Sequence, residues 1–165
     1  MADLSNNPGL DERAAACAGN SRRILNIAQK YWHLFSSPAA KTRMLAMLEK
    51  EIQGRDAELL SFLCQIYLET GRAGEALKIA ESIVLSAPSR ARGYMLRGQA
   101  LLATGNAEAA GRDMDTAYKI APADEDIIVS RANVLLSVGR AADAKDMFAS
   151  AIARSSGNAN AWVGQ

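Results

Sequence analysis

Three glycines, Gly71, Gly105 and Gly139, stand 34 residues apart, and no other feature of the chain constrains its fold as strongly. Ala76, Ala110 and Ala144 keep the same step, and so do Pro88 and Pro122, with Ser156 at the third place. One interval shared by three separate position classes marks a repeated supersecondary unit. Between these landmarks the apolar residues fall at helical spacing. Glycine suits the left-handed residue that ends a helix, and proline stops the next one because it cannot continue the hydrogen-bond ladder. The spacing therefore predicts helix pairs over 57–70 and 73–87, 90–104 and 107–120, and 124–138 and 141–154. Alanine and leucine supply most of the apolar content, and only 5% of residues are aromatic, which suits close helix packing.

The residues at these places follow one pattern. The first repeat reads Leu60, Leu63-Cys64, Tyr67, Ala76, Ala80 and Pro88. The second reads Tyr94, Arg97-Gly98, Leu101, Ala110, Met114 and Pro122. The third reads Ile128, Arg131-Ala132, Leu135, Ala144, Phe148 and Ser156. Small residues at Cys64, Gly98 and Ala132 let each first helix approach its second, while Leu60, Tyr94 and Ile128 fill the space between repeats. This pattern resembles the tetratricopeptide-repeat (TPR) family. The resemblance implies an all-α fold, a right-handed superhelical array of helix-turn-helix hairpins. It places repeats at 57–90, 91–124 and 125–158, with a fourth beginning over 159–165 and Trp162 at its large aromatic position.

Upstream, apolar residues at helical spacing from Ile24 to Phe35, and again from Met44 to Ile52, predict another helix pair. Ser36-Ser37-Pro38 separates the two stripes. In the 34-residue register Ser37 stands where glycine is expected and Thr42 where alanine is expected. Residues 21–54 therefore read as a degenerate hairpin or N-terminal cap, since terminal repeats are atypical. Residues 1–20 read as flexible or partly helical. A half repeat at the other end reads as a fragment of a longer protein.

In the TPR family the first helix of each repeat lines a concave groove. By resemblance, the groove positions here are Ser61, Phe62, Gln65 and Glu69, then Arg92, Met95, Leu96 and Gln99, with Leu102 beyond. In the third repeat they are Asp126, Val129, Ser130 and Asn133, with Leu136 beyond. Gln65, Gln99 and Asn133 recur at the repeat step, and a ladder of amides offers donors and acceptors to the backbone of an extended peptide. Phe62, Met95, Leu96 and Val129 beside them offer apolar anchorage. The set that clamps C-terminal carboxylates in some TPR proteins is not matched, because Ser61, Leu96, Asp126 and Ser130 replace its cations and amides.

The remaining features exclude more than they assign. The net charge is +1, from 19 basic and 18 acidic residues, so no overall field draws nucleic acid. No apolar run approaches the ~20 residues of a membrane span. Cys17 and Cys64 lack metal spacing and read as thiols of a reducing compartment, which makes the cytoplasm the default location. The single histidine, His33, lacks a nucleophile or ligand partner in sequence. No phosphate-loop, dinucleotide, zinc-protease or serine-hydrolase motif is present. Arg97 and Arg131 replace the motif's leucine and are expected to lie along the helix surface and point outward. The reading is a non-catalytic scaffold for a protein or peptide ligand, without cofactor or metal. The alternative is the TPR region of a longer enzyme, such as a glycosyltransferase or sulfotransferase. Self-association through the end of the stack is a third expectation.

Overall fold

The computed structural model describes residues 20–32, 38–51 and 56–163. Among them there are eight helices and no strand. They are α1 (Ser21–Tyr31), α2 (Pro38–Glu51), α3 (Ala57–Glu69), α4 (Ala73–Ser86), α5 (Ala91–Ala103), α6 (Ala107–Ile120), α7 (Glu125–Ser137) and α8 (Ala141–Val163). The expectations for residues 1–19 (Cys17 among them), for 33–37 (His33, Phe35 and Ser37 among them), for 52–54, and for the side chain of Trp162, lie outside what is described. The chain forms two compact units, residues 1–66 and 67–165, with the boundary inside α3.

In the first unit α1 packs on α2. Leu25, Ala28 and Trp32 on one side and Met44, Leu45 and Leu48 on the other are buried. Lys41 of α2 sits 5.4 Å from the Trp32 ring, a cation–π contact between the two helices. The start of α1 is capped by Asn20, whose Oδ1 accepts from the Arg23 N–H at 3.1 Å. Asp56 caps α3 in the same way, accepting from Glu58 N–H at 2.9 Å. Within α3, Leu59, Leu63, Cys64 and Ile66 are buried.

The second unit is a run of helices in which each packs on the next. α4 meets α5, α5 meets α6, α6 meets α7 and α7 meets α8, while α5 also touches α7. The turn glycines explain the hairpins. Gly71, Gly105 and Gly139 have φ of 74°, 87° and 78°, the left-handed conformation that other residues enter at a cost. The residue after each glycine then donates its N–H back into the last helical turn: Arg72 to Tyr67 at 2.7 Å, Asn106 to Leu101 at 2.8 Å and Arg140 to Leu135 at 2.9 Å. This bond satisfies a carbonyl that the helix end leaves open. α4 and α6 stop at Ser86 and Ile120, just ahead of Pro88 and Pro122.

The close approach expected at Gly98 is present. A Cβ there would lie 2.9 Å from Met114 Cε and 3.2 Å from the Ala110 carbonyl oxygen. Ala132, Leu135 and Ala144 form the buried core of the last hairpin, with Met147 and Phe148 against it.

Two expectations change. α8 runs through 155–158, where a turn was expected before a new helix near 159. Ser156 stands in the register of Pro88 and Pro122, but it keeps its backbone N–H and brings no ring clash, so the ladder continues. The second change concerns Arg97 and Arg131, which do not simply lie outward. Arg97 donates to both oxygens of Asp113, Nε at 2.6 Å and Nη2 at 2.7 Å. Arg131 instead reaches the preceding hairpin, bonding Asp115 at 2.8 Å with its guanidinium 4.8 Å from the Tyr118 ring.

Candidate functional site

The first helices of the second unit carry the residues expected to meet a partner, and burial divides them. On α7, Asp126, Val129, Asn133 and Leu136 are all exposed, with Val129 at 42% and Leu136 at 49%. Their spacing places them along one helical face. The remaining groove position of that helix, Ser130, is only 7% exposed. Its Oγ accepts from Gln99 Nε2 at 2.8 Å, which ties α7 to α5. One N–H of the Gln99 amide is thereby used, and its second donor and its carbonyl oxygen carry the remaining capacity of the group.

On α5 the pattern is different. Arg92 is exposed and Gln99 and Leu102 are half-buried, but Met95 and Leu96 are in the core. α5 contacts α4, α6 and α7, so adjacent positions on its surface are covered together. In this structure Met95 and Leu96 contribute packing and no open surface. Glu69, at the end of α3, is exposed.

In the first unit Ser61, Phe62 and Gln65 are half-buried. The Ser61 hydroxyl donates to the Ala57 carbonyl one turn earlier, at 2.7 Å. Of the three amides in the expected ladder, the structure therefore brings Gln99 beside α7, where Asn133 lies one helical turn from Ser130. Gln65 belongs to the other unit.

The ion pairs were missed by sequence reading, because their partners lie 16 residues away along the chain. The hydrogen bonds it donates to the Asp113 carboxylate, a side chain that is largely buried, hold the Arg97 guanidinium above its ordinary pKa. Burial pushes the Cys64 thiol up to about 12, so it stays protonated and is a poor nucleophile. Among the described residues no buried side-chain nitrogen or oxygen lacks a hydrogen-bond partner. Nor is there, among them, a group of three or more His, Cys, Asp or Glu residues placed to hold a metal ion. No described helix is long and apolar enough to cross a membrane.

Similar folds are found among solved structures. MamA from Desulfovibrio magneticus RS-1 (residues 41 to the end) superposes with a TM-score of 0.67 at 17% identity, covering 87% of this chain and 80% of that one. TTC0263, a thermophilic TPR protein of Thermus thermophilus, superposes with a TM-score of 0.70 at 20% identity, covering 81% and 73%. These likenesses establish the fold, an all-α solenoid of TPR hairpins. No curated protein matches the sequence. The tetratricopeptide repeat model, however, matches residues 39–125, more than half of the chain's 165 residues, and the chain belongs to the tetratricopeptide-repeat family.

Proposed function

We propose that the chain is a protein-interaction scaffold whose α5–α7 face receives an extended or helical segment of a partner protein. The observation that carries this reading is the exposed line Asp126, Val129, Asn133 and Leu136 on α7, with Gln99 bonded to Ser130 at its edge. Two apolar side chains flank an amide on that line. Val129 and Leu136 anchor apolar side chains of the segment, and Asn133 with the remaining capacity of Gln99 bonds its backbone. Arg92 and Asp126 set opposite charges at the start of the two helices and orient the segment by charge. Ser61, Phe62 and Gln65 hold the corresponding motif positions of the first repeat, and Glu69 ends its helix. Within residues 67–165, α5 and α7 present their positions as one extended surface, which is how helical repeat proteins bind partners.

The test is a selection of displayed peptides on the immobilised chain, followed by affinity measurements on the selected sequences. Val129→Asp and Leu136→Asp alter exposed positions and leave the hairpins folded. Loss of binding in both variants is expected. Selected peptides that bind them as tightly as the original chain would remove the α5–α7 face from consideration.

A further inference from the structure

In the second unit α7 lies against both helices of the hairpin before it, α5 and α6. The residues it covers can be named. Gln99 of α5 donates to Ser130 of α7 at 2.8 Å. Met95 and Leu102 stand one turn before and one turn after Gln99, on the same face of α5. Met95 is in the core and Leu102 is half-buried. On α6, the ring of Tyr118 lies 4.8 Å from the guanidinium of Arg131 on α7. Val84 holds the place of Tyr118 one repeat earlier, and α5 covers it: a Cβ on Gly93 would stand 3.3 Å from its Cγ2, and Val84 is 7% exposed.

The 34-residue step carries these positions onto the last hairpin as Val129, Asn133 and Leu136 of α7 and Ile152 of α8. All four are exposed, Ile152 at 69%. The two helices pack on each other, so the three apolar side chains belong to one surface. Each stands at a place that a following first helix covers elsewhere in the unit. Asn133 offers the donor that Gln99 gives to Ser130. The surface is therefore a socket of the kind that α7 fills on α5 and α6.

What such a socket takes is shown by α7. Ser130 faces α5, Val134 lines the space between α6 and α7, and Ile127 holds the place of Gly93 against the preceding second helix. All three are buried. The inserted face thus carries an apolar residue, a hydroxyl three residues on and an apolar residue four further on. A helix presents that spacing on one side and satisfies its own backbone groups, whereas a strand would set unpaired peptide groups against Val129, Leu136 and Ile152. Consecutive helices joined by tight turns alternate in direction, so α7 runs parallel to α5. A helix set on α7 in the same way brings the positive end of its dipole beside Asp124, Glu125 and Asp126 at the start of α7.

We propose that the α7–α8 hairpin takes an amphipathic helix of a partner protein, seated as α7 is seated on α5 and α6, with a serine or threonine facing Asn133 and an apolar side chain against Ile152. This rests on the reading that the exposed line of α7 receives a partner, and adds the form of the segment and α8 as its second wall.

The probe is a blocked peptide of residues 124–138, the α7 sequence itself. A side-chain staple across its 129 and 133 positions holds it helical, because a free helix of this length is marginal in water. The same sequence without the staple and with Ala132→Pro is the non-helical control. Amide NMR of the whole chain maps where each binds. The expected result is shifts over residues 126–136 and around Ile152, with the proline peptide weaker by roughly tenfold or more. Ser130→Ala in the peptide is expected to weaken binding by roughly fivefold. Ile152→Asp in the chain alters an exposed position, and is expected to abolish binding while the spectrum of α5 and α6 is kept. Binding that survives Ile152→Asp would overturn the proposal, as would equal binding of the proline peptide or no shifts at millimolar peptide. Shifts on α7 that extend to Arg92 and Gln99 but not to α8 would overturn it while supporting an extended segment on the α5–α7 face. Shifts throughout α5 and α6 would mean that the peptide replaces α7 itself, and shifts that follow chain concentration without peptide would assign the socket to a second copy. Either result would overturn the proposal too.

Discussion

Arg97 grips Asp113 with both arms of its guanidinium, 2.6 Å and 2.7 Å from the two carboxylate oxygens, across the two helices of one hairpin. The Arg97 side chain is 27% exposed and that of Asp113 only 9%. Such a pair is worth less than its Coulomb energy suggests, but breaking it from one side strands a charge. Asp113→Ala is therefore expected to cost about 2 kcal/mol, read from urea unfolding. Arg97→Leu together with Asp113→Leu is expected to recover most of that loss. If the double variant is as unstable as Asp113→Ala, the loss comes from packing and not from the orphaned cation.

Three glycines should respond to alanine with different signs. Gly105 has φ of 87° and empty space around its missing Cβ, so Gly105→Ala meets backbone strain alone, about 1 kcal/mol. At Gly98 the new methyl meets Met114 Cε at 2.9 Å and a backbone oxygen at 3.2 Å. Overpacking there is expected to cost about 1–3 kcal/mol, reduced to the extent that Met114 swings aside. Gly111→Ala, in helical conformation and open space, is expected to stabilise by about 0.5–1 kcal/mol. Thermal unfolding of the three variants checks the order.

The Gln99–Ser130 bond joins successive repeats at a buried hydroxyl. Ser130→Ala and Gln99→Ala are each expected to cost about 1 kcal/mol. A double-mutant cycle should show coupling, because both variants lose the same bond. Additive effects would mean the 2.8 Å contact carries no stability of its own.

Cys64 gives a pH signature. Burial raises its pKa from an ordinary 9.0 to about 12. The folded chain holds the thiol proton that the unfolded chain releases, so this contribution is intact below pH 9.0 and is lost as pH rises towards 12. In a Cys17→Ser background, a disulfide reagent is expected to leave Cys64 untouched at neutral pH until denaturant is added. Rapid labelling of the folded chain would contradict that burial.

Much of the fold was legible because the repeat interval encodes main-chain requirements. Gly71, Gly105 and Gly139 are positions where the backbone must turn left-handed, and Gly98 faces Ala110 because nothing larger fits. Such constraints belong to single positions, so a sequence displays them. The site was less legible because exposure depends on how many helices surround a position. Met95 and Val129 hold equivalent places one repeat apart, yet Met95 is buried while Val129 is open. Partner choice was hidden for a similar reason. Arg97 finds Asp113 on its own second helix, whereas the equivalent place facing Arg131 is Met147, so Arg131 turns to Asp115.

That difference between two arginines has an energetic meaning for a modular chain. In a linear array each module has a stability of its own and a term shared with its neighbour. The Arg97–Asp113 pair counts only toward the first, since both ends belong to one hairpin. Arg131, held by Asp115 and Tyr118 of the preceding hairpin, counts toward the second. Removing the Arg97 pair weakens one hairpin and leaves its attachments intact. Removing the Arg131 contact lowers the term shared with the preceding hairpin, which the Gln99–Ser130 bond and the packing of α7 on α5 and α6 still maintain.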